Sequence, residues 1–70
     1  MTIQQKIGKK VKAFRLKAGI SQETLSYLAD LDRTYIPSIE KGERNISITV
    51  LEKLAKALKI SMKDFFDEWF

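Results

Sequence analysis

Apolar residues recur along this chain at helical rather than strand spacing. Ile3, Ile7, Val11, Phe14 and Ala18 follow at steps of three and four, which puts them on one stripe of a helix. Thr2 and Gln5 have the spacing of a capping box at its start, and Gly19 is placed to end it in the left-handed conformation. A second helix starts at Ser21 and buries Leu25, Leu28 and Ala29. A third starts at Asp32, turns Ile36 and Ile39 inward and stops at Gly42. Ser47 caps a fourth, which buries Leu51, Leu54, Ala55 and Leu58, and Ser61 caps a fifth. Leu31, Ile46 and Ile60 each precede a cap and stand at staple spacing from Ile36, Leu51 and Phe65. The pattern predicts an all-α fold: a compact five-helix domain over residues 1–70, with short loops and neither linker nor internal repeat.

Composition narrows the chemistry. A 70-residue chain has room for one small core and only a few kcal/mol of net stability. It contains no Cys and no His, so disulfides, Cys-based metal sites, zinc–histidine sites and Ser-His or Cys-His catalysis are excluded. Carboxylates are present, but no pair is placed in an evident pocket with a partner base, so an enzyme is not expected. No metal or cofactor is expected either. The formal charge is +4 and unevenly placed. Lys6, Lys9, Lys10, Lys12, Arg15 and Lys17 crowd the first helix, whereas Asp64, Asp67 and Glu68 lie in the tail. A basic surface attracts nucleic acid through released counterions, although the same residues also suit a solvated helix face. No secretory leader and no membrane-length apolar run is present, so a cytoplasmic location is expected.

Residues 21–42, SQETLSYLADLDRTYIPSIEKG, concentrate the functional signal. They read as two short helices joined by a tight turn, the second opening on Asp32-Arg33-Thr34-Tyr35. Exposed polar residues at the start of a helix that crosses a supporting helix suit a DNA major groove. From Ile7 to Phe66 the chain resembles the phage repressor and Cro-type helix-turn-helix proteins. The DRTYI string followed by SIEKGERNIS is most similar to the controller proteins of restriction-modification genes.

The resemblance implies a lambda-repressor-like fold and assigns roles. Arg33, Thr34 and Ser38 would read bases: arginine can grip guanine O6 and N7, and threonine or serine can bond a base edge. Tyr35, Gln22, Arg44 and Asn45 would hold the DNA backbone, with Lys17 and Lys41 adding less specific attraction. For each of these the competing reading is an ordinary solvated surface. Arg15 and Glu40 would form a structural ion pair joining the first helix to the end of the third, expected here to be buried.

Three positions depart from the family pattern. Asp30 stands where the turn usually has Gly, and Ser26 where the second helix usually has Ala. Pro37 falls inside the expected third helix. There it should remove a hydrogen bond to the Arg33 carbonyl, bend the helix and re-aim Arg33, so that Pro37→Ser would stabilise the domain.

The chain ends in Phe65, Phe66, Trp69 and Phe70; the monomer has room to bury Phe65 and Phe66, which leaves Trp69 and Phe70 as surplus aromatic surface, either an interface or a cover over the lower edge of the core. These residues are expected to form a symmetric dimer through the fifth helix and the end of the fourth. The expected function is a dimeric, sequence-specific transcriptional regulator on a pseudo-palindromic operator, repressing by blocking RNA polymerase or activating by touching it. The alternative is a protein-interaction module, such as an antitoxin or coactivator, built on the same fold.

Overall fold

The fold is described from a computed structural model, which covers residues 1–67; Trp69 and Phe70, assigned above to a dimer face, lie outside the described residues. Four α-helices follow in order: α1 (Ile3–Lys17), α2 (Gln22–Leu28), α3 (Tyr35–Glu40) and α4 (Ile48–Leu58). The expected fifth helix is a single 3-10 turn, Met62–Phe65. No strand occurs among the described residues.

The helix starts follow their caps. Thr2 Oγ1 accepts the Gln5 N–H at 3.1 Å, and the Gln5 side chain accepts the Thr2 N–H at 2.9 Å, which is the expected capping box. Ser21 and Ser47 accept the N–H groups of Thr24 and Val50 at 3.0 and 3.1 Å. The helix ends share one device. Gly19, Asp30, Gly42 and Lys59 all adopt positive φ (72°, 55°, 76° and 59°). Each time the following N–H reaches back to a carbonyl five residues earlier: Ile20 to Arg15, Leu31 to Ser26, Glu43 to Ser38 and Ile60 to Ala55. These are Schellman closures, which satisfy carbonyls the helix would otherwise leave open. Asp30 thus takes the left-handed role expected of it, and the Ser26 hydroxyl donates to the Gln22 carbonyl at 2.9 Å.

The third helix differs from expectation. The Asp32 carboxylate accepts both the backbone N–H and the hydroxyl of Thr34, at 2.9 and 2.6 Å. That holds Arg33 and Thr34 in a turn, and α3 begins only at Tyr35. Pro37 is therefore the third helical residue rather than an interior one. A first-turn N–H has no partner within the helix, so its absence costs little. The N-cap residue, Thr34, makes no side-chain cap bond, consistent with a proline that offers it no N–H. The reason to expect Pro37→Ser to stabilise the domain is gone.

Eleven apolar side chains form the core: Ile7, Val11, Leu25, Ala29, Ile36, Ile39, Leu51, Leu54, Ala55, Leu58 and Phe65. Each large one contributes about 1.5–3 kcal/mol by leaving water. Leu28 does not join them. It is 52 % exposed, because Leu25 and Ala29 take the inward positions of α2. Ile3 is 58 % exposed, at the outer end of the α1 stripe. Ala18 also faces solvent. Phe65 is wholly buried and meets Phe14 edge to face, with ring centroids 6.2 Å apart. Its place in the fold is the monomer core, not an exposed dimer face. Phe66 is half-buried.

Candidate nucleic-acid interface

α3 has only six residues, too few to hold a direction by itself. α1 holds it in two ways. Gly8 lies so near the end of α3 that an added Cβ would stand 2.3 Å from the Ile39 carbonyl oxygen and 2.9 Å from that of Glu40. About two turns further along α1, Arg15 grips Glu40. Its Nε donates to one carboxylate oxygen at 2.7 Å and its Nη2 to the other at 3.1 Å. The remaining arginine nitrogen, Nη1, donates to the Ile20 carbonyl at 2.9 Å. The two side chains are 10 % and 5 % exposed, so the pair is buried as expected. Its hydrogen bonds to Glu40 hold the Arg15 guanidinium charged, above its ordinary range.

Gln22 completes this network. Its Nε2 donates to Glu40 Oε1 at 3.0 Å. The side chain expected to bond a phosphate is thus turned inward, onto the buried carboxylate.

The side of α3 away from the core carries the polar residues singled out by sequence. Arg33 and Thr34 are exposed in the turn that opens the helix. Arg33 makes no hydrogen bond among the described residues, whereas the Thr34 hydroxyl donates to Asp32 and keeps its lone pairs available. The Thr34 hydroxyl and N–H hold the Asp32 carboxyl below the usual carboxylate range.

Tyr35, Ser38 and Arg44 come together, although the sequence placed Ser38 among the base readers and Tyr35 and Arg44 on the DNA backbone. The Arg44 guanidinium carbon lies 4.3 Å from the centre of the Tyr35 ring. Arg44 Nε donates to Ser38 Oγ at 2.8 Å, and Ser38 Oγ donates to the Tyr35 carbonyl at 2.8 Å. In the same loop the Asn45 side-chain oxygen accepts a hydrogen bond from Gln4 of α1. Gln4 was missed in the sequence, where nothing marks a residue that meets its partner 41 positions away. Lys17 and Lys41 are exposed, at the ends of α1 and α3. Among the described residues, no cluster of His, Cys, Asp or Glu could hold a metal ion, and no helix is long and apolar enough to cross a membrane.

Two helices joined at a left-handed Asp30, with a polar-faced second helix locked against α1, define a helix-turn-helix unit. The helix-turn-helix family profile matches residues 11–65. The chain is 49 % identical over 61 residues to the control protein C.BamHI of Bacillus amyloliquefaciens, covering 86 % of this chain and 75 % of that one. It is 42 % identical over 67 residues to the control protein C.MunI of a Mycoplasma species, covering 94 % and 90 %. Its fold matches the restriction-modification controller protein C.AhdI of Aeromonas hydrophila with a TM-score of 0.87 at 41 % identity, over 90 % of this chain and 96 % of that one. The chain belongs to the helix-turn-helix family of DNA-binding transcription regulators, and its relatives group it with the restriction-modification controller proteins.

Proposed function

We propose that this chain is a controller-type regulator that binds a pseudo-palindromic operator as a dimer and does no catalysis. The observation that carries the reading is the division of α3. Ile36, Ile39 and Glu40 are committed to core and buttress, while Arg33 and Thr34 face solvent beside them. Arg33 and Thr34 read bases. Tyr35, Arg44, Asn45 and the main chain at Gln22 hold the DNA backbone, with Lys17 and Lys41 adding non-specific attraction. The same fold occurs, with a TM-score of 0.88 at 40 % identity over 97 % of this chain and 90 % of that one, in the controller protein C.Esp1396I, solved as a tetramer on its natural 35 base-pair operator.

A single described protomer measures 30 Å in its longest dimension, short of the about 34 Å between half-sites one DNA turn apart. A second copy supplies the second reading helix. Phe66, Ile3, Ile7, Ile46, Ile48 and Leu51 line a cleft together with Gln4, Arg44 and Asn45, and Ile48 is 80 % exposed. The apolar residues of this cleft, Phe66 among them, are the proposed dimer face. The site of action is the cytoplasm, where DNA and RNA polymerase are accessible to such a regulator.

Selection of bound duplexes from a random pool tests the reading directly. Paired half-sites about one turn apart are expected. Arg33→Ala should cost about 1–3 kcal/mol on the selected duplex and relax the preference at one base pair. Sequence preference left intact by Arg33→Ala refutes the base-reading role. Absence of any salt-sensitive duplex binding favours a protein-interaction module instead.

A further inference from the structure

We infer that Ser38 does not read DNA itself but positions Arg44, so that Tyr35, Ser38 and Arg44 act as one preorganised guanidinium fork on the edge of the reading helix. The inference rests on the DNA-binding reading and refines it. It starts from hydrogen-bond capacity. Ser38 Oγ has one proton, and the Tyr35 carbonyl takes it at 2.8 Å. One lone pair receives the Arg44 Nε proton at 2.8 Å. A serine engaged twice has little left for a base edge.

The arginine gains what the serine gives up. Its Nε is anchored, and its plane is held over the Tyr35 ring at 4.3 Å. An arginine held at Nε and stacked on an aromatic face has lost much of its rotamer freedom before DNA arrives. Both terminal Nη groups remain as a pair of parallel donors, a geometry suited to two acceptors side by side. DNA offers that chemistry from two sources: O6 and N7 of a guanine, or two oxygens of one phosphate. Arg44 lies in the loop between Gly42 and Ser47, where a free arginine would have to be ordered on binding. The hydroxyl at Ser38 removes part of that cost.

The test uses the full chain, a selected duplex and a scrambled duplex of equal length. Ser38→Ala should weaken binding to the selected duplex about threefold to tenfold, the net scale of one ordinary intramolecular hydrogen bond. Its melting midpoint should match the parent. Ser38→Thr, which keeps the hydroxyl, should restore binding. In the Arg44→Ala background, Ser38→Ala should have no further effect, because its action runs through Arg44. Equal weakening of both duplexes by Arg44→Ala assigns the fork to phosphate, and loss confined to the selected duplex assigns it to guanine; either result supports the fork. Independently of DNA, the Arg44 Nε–H resonance should show restricted nanosecond motion that Ser38→Ala releases. Additive losses in the double variant would mean that Ser38 touches DNA itself and would overturn the inference. So would parent-like binding by Ser38→Ala, or an Arg44 Nε–H already mobile in the parent. A parent chain that shifts no duplex overturns the functional reading, and this inference with it.

Discussion

Replacing Glu40 by Gln probes the joint between the core and the reading helix. The parent carboxylate accepts from Arg15 Nε, Arg15 Nη2 and Gln22 Nε2 at 2.7, 3.1 and 3.0 Å. A carboxamide of the same shape keeps one acceptor oxygen and presents an NH2 where an acceptor is needed. It also leaves Arg15 charged, and 8 % exposed as a residue, with no counter-charge and only the amide oxygen and the Ile20 carbonyl as acceptors. Stranding one member of a buried pair costs about 3–5 kcal/mol, against well under about 1 for an exposed pair. A 70-residue domain has roughly 3.5–10 kcal/mol in total, so the variant loses about 30 % or more of its stability. At about 4–8 °C per kcal/mol the midpoint should fall by at least about 12 °C. Thermal melts by circular dichroism should be compared at one protein concentration, since dimerisation also shifts the midpoint. The deficit should persist in high salt, because buried pairs are weakly screened. It should also persist at alkaline working pH. A raised arginine pKa means the pair's contribution is complete below the ordinary arginine value and is lost only above the raised one. A fall of less than about 4 °C, or a deficit that salt abolishes, would refute the buried-pair account.

Three other outcomes follow from the geometry. Gly8→Ala should destabilise the domain by about 3 kcal/mol or more, because the new methyl meets backbone carbonyls that cannot rotate away; a midpoint within about 4 °C of the parent would disprove this close approach. Asp30→Gly and Lys59→Gly should each raise denaturant midpoints, the second by more, because Asp tolerates positive φ better than Lys; gains are under about 1 kcal/mol after the added flexibility of the unfolded chain. Thr34→Val removes the hydroxyl that contributes most to the lowered Asp32 pKa. The parent carboxylate's contribution to stability is complete above the ordinary carboxylate range and is lost as pH falls through its lowered pKa. Carboxyl NMR titration should therefore place Asp32 closer to its ordinary value in the variant, and an unchanged titration would contradict the assignment.

Sequence was most informative where the governing interaction is local. Thr2, Ser21 and Ser47 cap helices because a hydroxyl reaches an N–H three residues on, and that spacing is visible in one dimension. The core positions of α4 were legible for the same reason. The family resemblance added the one long-range contact that spacing could not supply, Arg15 to Glu40. Where local signals competed, the reading slipped. Asp32 looked like a helix N-cap, and it does accept backbone and side-chain protons, but two residues on rather than three, so it caps a turn and delays α3. Pro37 then changed from an interior break to a first-turn residue without any change in sequence. Leu28 and Phe65 were misjudged for a different reason. Periodicity gives the face of a helix but not how far a neighbour extends over it. The Gln4 contact with Asn45, the turn of Gln22 toward Glu40 and the Arg44 contact with Ser38 depend on loop paths that no spacing encodes.

These errors cluster around α3, and the clustering has a physical cause. A six-residue helix contributes too few internal hydrogen bonds to fix its own ends or direction. Its geometry is set by what surrounds it: Asp32 before it, the Gly8 contact and the Arg15 grip on its last turn, and Arg44 returning over its flank. The polar residues offered to DNA thus sit on an element whose orientation is decided by core and buttress. Affinity and stability cannot vary independently in such an arrangement. A substitution at Glu40, which faces away from the polar side of α3, moves the same helix whose opening turn carries Arg33 and Thr34. An effect on DNA binding is therefore no sign by itself that a residue touches DNA. The distinction requires a variant such as Arg33→Ala, which removes a side chain that makes no hydrogen bond among the described residues and leaves the buttress intact.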